Sequence, residues 1–91
     1  MSWFVVMAMC GQLAGEAKPD CSPYRTFRKL EFTDEQACIV VANERRTRLE
    51  QALKDKAAHL GKKLEKMVVY SECNTASETV KLLEDNLPTS T

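Results

Sequence analysis

Four cysteines, two closely spaced methionines, a cluster of arginines and one histidine are the residues in this chain with chemistry beyond packing. Cys10, Cys21, Cys38 and Cys73 contain no C-x-x-C unit and no Cys/His pair at zinc-finger spacing, so they do not read as a zinc site. An even number of cysteines in a chain this short fits two disulfides, which persist in oxidising surroundings. The expected setting is the periplasm or the outside of the cell, with the export signal absent from this chain and Met1-Ser2 an added start. The alternative is a cytoplasmic protein whose cysteines are buried, inert hydrophobes.

Met7 and Met9 are two residues apart, so on a strand both thioethers fall on one face together with Trp3 and Val5. Soft sulfur ligands suit Cu(I), and a metal site at Met7 and Met9 is therefore one reading. The competing reading is core packing, in which methionine fills gaps; no cofactor is expected. Arg45, Arg46 and Arg48 open a stretch from Glu44 to Lys66 in which Arg45, Arg46, Arg48, Lys54, Lys56, Lys62, Lys63 and Lys66 outnumber Glu44, Glu50, Asp55 and Glu65. Such a stripe attracts an anionic partner, an acidic protein or a nucleic acid, through its local potential. Nucleic acid is the poorer fit, because the stretch carries no interleaved aromatics and thirteen basic residues balance thirteen acidic ones over the chain. His59, the sole histidine, falls near an expected helix C-terminus and reads as a dipole-complementing boundary residue. No Ser/His/acid set, G-x-S-x-G elbow, phosphate-cradling glycine loop or paired-carboxylate motif is present. The chain reads as a non-enzymatic, disulfide-stabilised protein-interaction module of unknown partner, with copper capture and docking of an anionic partner as alternatives.

These residues need elements to hold them, and hydrophobic period supplies the outline. At 91 residues, 44% hydrophobic and 29% charged, the chain has the makings of a single packed domain over residues 1–87 with a short tail over 88–91. Its longest apolar run, Trp3 to Cys10, is far shorter than the roughly 20 residues a membrane helix needs. Apolar on both faces and bounded by Gly11, this run reads as a central strand. Gly11 to Pro23 is rich in turn formers, and Tyr24 to Phe32 alternates as a second, exposed strand.

Thr33-x-x-Gln36 has capping-box spacing and opens a long helix over 34–60. Its inward stripe is Cys38, Val41, Ala42, Leu49, Ala52, Leu53, Ala57 and Leu60, with Gly61 as the stop. Met67 to Cys73 reads as a third strand. Thr75-x-x-Glu78 opens a short final helix with Val80, Leu83 and Leu87 inward, ahead of Pro88. The expectation is an α+β fold, a small three-stranded sheet packed against one long helix with a short C-terminal helix in β-β-α-β-α order. If the first and third strands run parallel through a right-handed crossover, Cys10 meets Cys73 and leaves Cys21 for Cys38. One short helix is barely enough to cover the second sheet face, so exposed apolar surface or a free strand edge remains. A two-fold homodimer through that face or edge follows.

Overall fold

The computed structural model describes residues 1–85, so Leu87, Pro88 and the expected 88–91 tail lie outside the described residues. The elements in order are β1 (Trp3–Leu13), β2 (Asp20–Cys21), a 3-10 turn (Arg28–Leu30), β3 (Glu31–Phe32), α1 (Glu35–His59), β4 (Leu64–Thr75) and α2 (Ala76–Asp85). The α+β class, with one small sheet, one long helix and a short C-terminal helix, is as the sequence leads one to expect.

β1 lies at the centre of the sheet. On one side it pairs with β4 over its whole length, from Trp3 opposite Thr75 to Leu13 opposite Leu64. On the other side the chain over 20–32 runs back along it in pieces. Cys10 faces Cys21, Met7 bridges Arg25, and Trp3 faces Phe32. The expected continuous strand over Tyr24 to Phe32 is thus a broken one that starts earlier, at Asp20. Pro23, which has no N–H to give a ladder, and the 3-10 turn at Arg28–Leu30 interrupt it.

That returning segment corrects the expected parallel pairing. It carries the chain back to the Trp3 end of β1, so α1 starts there and runs alongside β1 to the Leu13 end. β4 must then come back antiparallel to β1. The expected crossover skipped this return leg. β1 also runs through Gly11 instead of ending there: Gly11 is buried, and a Cβ on it would stand 3.2 Å from Leu53 Cδ2, so its bare backbone is what lets α1 approach the strand. The chain turns after β1 at Leu13–Glu16, where the Glu16 N–H bonds the Leu13 carbonyl (3.1 Å) and Gly15 takes φ +91°.

α1 is capped by Asp34, not Thr33: the Asp34 carboxylate accepts from the Gln36 N–H at 3.2 Å. It ends at Gly61, whose φ of +66° turns the chain out of the helix. Its 25 residues span about 37 Å, matching β1 and β4 in length, and the molecule measures 45 × 28 × 16 Å. Of the expected stripe, Cys38, Ala42 and Ala57 are buried, Val41, Leu49 and Leu53 are half-buried, and Ala52 and Leu60 are exposed. The core lies at the first half of the helix, where Cys38 and Ala42 meet Val5 and Leu30, with Trp3, Met7, Phe32, Val41 and Cys73 around them.

α2 covers the other sheet face, where Val6 is fully buried. Its capping box forms as the spacing predicts: the Glu78 carboxylate accepts from the Thr75 N–H (2.8 Å) and hydroxyl (3.0 Å), while the Glu78 N–H bonds Thr75 Oγ1 (3.3 Å). These two bonds hold the Glu78 carboxyl below its usual pKa, the backbone one having the larger effect. The inward residues of α2 differ from expectation: Thr79 is buried and Leu82 half-buried, while Val80 is 55% exposed and Leu83 also faces water. Thr79 takes the inward place because its hydroxyl bonds the Thr75 carbonyl within the helix (2.8 Å).

Candidate functional site: an arginine-lined groove

All four cysteines are oxidised, in a pairing set by the antiparallel sheet. Cys10 joins Cys21, its direct neighbour across β1 and β2, and Cys38 in the first turns of α1 joins Cys73 on β4. The expected Cys10–Cys73 and Cys21–Cys38 bonds do not form. In the antiparallel register Cys73 sits beside Val5 and Cys10 beside Val68, at opposite ends of the ladder. The Cys38–Cys73 bond lies within the core, whereas Cys21 is exposed. Two disulfides in a chain of this size fit an oxidising compartment.

Odd-numbered residues of β1 point toward α1, and this brings together two clusters that are far apart in sequence. A groove of about 440 Å³ opens between β1, the returning segment and the middle of α1. Met7 and Met9 lie on its floor, Phe27 and Leu49 contribute apolar walls, and Arg25, Arg45 and Arg48 complete its lining. The cause is geometric. An α-helix about 10 Å across covers two strands spaced about 4.8 Å apart, and α1 sits over β1 and β4, which leaves the third strand position uncovered.

The broken edge is fixed to β1 beneath the groove by Ser22 and Arg25. The Met9 N–H donates to Ser22 Oγ (3.0 Å) and the Ser22 N–H to the Met9 carbonyl (2.8 Å), while Met7 and Arg25 exchange two 2.8 Å backbone bonds. Among the described residues none of Arg25, Arg45 and Arg48 makes a salt bridge. Arg46 differs: it points to the other flank of α1, where its guanidinium bonds the Ser71 carbonyl and pairs with Glu72 at 2.9 Å. The expected trio of arginines is therefore divided, two at the groove and one tying α1 to β4.

Arg25 and Phe27 are the lining residues that the sequence did not single out. Their signal was the alternation that puts both on one side of the second strand. The soft-metal reading of Met7 and Met9 finds two thioethers in a groove that three arginines also line, with the cysteine sulfurs held in disulfides and no histidine or carboxylate among the described lining residues. His59 sits in the last turn of α1, well away from the groove lining.

The fold and the bonds across it define a small, disulfide-stabilised α+β module. No protein-family model, no curated protein and no solved structure matches the chain. No helix among the described residues is long and apolar enough to cross a membrane.

Proposed function

We propose that this protein is a non-enzymatic interaction module of the periplasm or the cell exterior, which receives an acidic, apolar-anchored segment of a protein partner in the groove between α1 and the broken sheet edge. The observation that carries this reading is the meeting of an apolar floor, Met7 and Met9, with three guanidinium groups that no described carboxylate pairs. An apolar side chain entering the groove displaces water from the methionines, a favourable transfer of about 0.8 kcal/mol per buried methylene. Carboxylates beside it meet Arg25, Arg45 and Arg48, whose planar forks bind carboxylates in bidentate fashion. Methionine-rich floors adapt to anchors of different shape.

The test is a fluorescence anisotropy titration with a labelled peptide carrying one leucine flanked by glutamates. Wild-type protein binds it, binding weakens as salt rises because added salt shortens the Debye length, about 8 Å at physiological ionic strength, over which exposed charges attract, and Arg45→Glu with Arg48→Glu weakens it about tenfold or more. Equal affinity for the double variant, equal affinity when the peptide leucine is replaced by serine, or tighter binding to an oligonucleotide than to the peptide each contradicts the proposal.

A further inference from the structure

We infer that β4 pairs with β4 of a second copy through its outer edge, which is unpaired among the described residues, in an antiparallel register centred on Val69, giving a two-fold dimer with one continuous sheet six strand positions wide. The surface lies across β1 from the groove and does not depend on it. Three observations carry the inference.

The first is the direction of the backbone groups. Met7 exchanges both of its hydrogen bonds with Arg25, and Met9 uses its N–H and carbonyl on Ser22, so odd-numbered residues of β1 bond away from β4. In the antiparallel ladder their partners on β4, Ser71 opposite Met7 and Val69 opposite Met9, likewise direct their N–H and carbonyl groups away from β1. Met67, Val69, Ser71 and Cys73 thus present outward donors and acceptors along a strand of 12 residues. The other edge of the sheet offers no such run, being broken by Pro23 and the 3-10 turn.

The second is charge. A register centred on Val69 sets Val69 opposite itself, Met67 opposite Ser71, and Lys66 opposite Glu72, twice over by symmetry. Centring the pairing on the residue one step either way from Val69 matches neither charge with its opposite. Arg46 occupies Glu72 Oε1 and bonds the Ser71 carbonyl. Glu72 Oε2 and the second lone pair of that carbonyl remain for the partner.

The third is exposed apolar surface on both faces of this edge. Val68, which the same register sets against Tyr70 of the second copy, is 64% exposed. Ile39 is 37% exposed and, seven residues before Arg46, shares with it the β4 flank of α1. Because an antiparallel two-fold keeps residues of equal parity on one face, both α1 helices lie on the same side of the joined sheet. Their axes then fall about 10 Å apart, a helix-packing distance at which the β4 flanks of the two antiparallel α1 helices face each other and each Ile39 lies against the later turns of the other helix.

Sedimentation equilibrium from 1 µM to 1 mM, with amide hydrogen exchange at the two extremes, tests this. The expected result is a shift from 10.3 kDa to twice that mass, accompanied by at least tenfold slower exchange at Met67, Val69 and Ser71. Val68, Tyr70 and Glu72 are bonded to β1 already and change little. Lys66→Glu, an exposed change that leaves the fold intact, weakens the dimer at least tenfold. A 10.3 kDa species at every concentration, a dimer whose Met67, Val69 and Ser71 amides still exchange freely, or a Lys66→Glu dimer as tight as the wild type overturns it.

Discussion

The two halves of α1 cross the same central strand and meet it differently. At Cys38 and Ala42 the helix packs against Val5 and Leu30 and is tied to β4 by a disulfide. Along Arg45, Arg48, Leu49 and Ala52 it stands beside Met7 and Met9 with a 440 Å³ groove between. Both halves carry apolar residues of ordinary size, so residue volume alone does not separate them. What separates them is the neighbour on the sheet's broken edge. Leu30 and Phe32 reach back to close the first half, whereas Ser22, Arg25 and Phe27 line the second without filling it, and Phe27 stays 48% exposed. One half is built for stability and the other is left open with positive charge at its wall.

Removing the two disulfides separately should show the largest contrast. Cys38→Ala with Cys73→Ala opens a closure of 35 residues, worth about 4 kcal/mol in chain entropy, and leaves a defect in the core as well. Cys10→Ala with Cys21→Ala opens one of 11 residues, worth about 3 kcal/mol, on the exposed edge. Urea unfolding should place the first variant at least about 1 kcal/mol below the second; the reverse order breaks the comparison.

Side-chain truncation and filling sharpen it further. Val5→Ala, at a fully buried site, should cost about 2 to 3 kcal/mol, while Leu49→Ala on the groove wall should cost less than about 1 kcal/mol. Enlargement gives the complementary result. Ala42→Leu overpacks the closed half and should destabilise by about 1 to 3 kcal/mol, whereas Ala52→Leu enters open space and should leave the melting temperature within a few degrees of wild type. Equal effects at positions 42 and 52 would mean that the groove closes in solution.

The smallest effect lies away from both halves. Glu78 accepts from Thr75, and its lowered pKa means that the unfolded chain binds the proton more readily than the folded one. Its contribution is therefore present above the usual carboxyl value of 4.5 and is lost as pH falls through the lower folded value. Glu78→Gln should flatten the acid limb of the thermal stability curve and weaken protection of the α2 amides, while leaving exchange in both halves of α1 unchanged.

How much of this was legible in the sequence differs by element. The β1 run, the extent of α1 and the Thr75/Glu78 box could be read directly, because each rests on local pattern and local hydrogen bonding. The antiparallel course of β4 and both disulfide partners could not. They depend on the returning segment over 20–32, whose Pro23 and 3-10 turn disguise a strand as a loop. The same is true of the groove. Met7 with Met9, and Arg45 with Arg48, were each visible as a local cluster. Their convergence follows from α1 running alongside β1 with matching length, and the separation of Arg46 from its neighbours follows from helical rotation over one residue. In α2 the apolar spacing of Val80 and Leu83 misled, because a threonine that bonds its own backbone took the buried position.

Methyl NMR with labelled methionine and valine tests the central claim most directly, since Met9 reports on the open half of α1, Met7 on the border where the groove meets the core, and Val5 and Val41 on the closed half. Titration with the glutamate-flanked leucine peptide should shift the Met7 and Met9 methyl signals in a saturable way and leave those of Val5 and Val41 in place. Shifts confined to the closed half, shifts of equal size in both, or none at millimolar peptide would contradict the account.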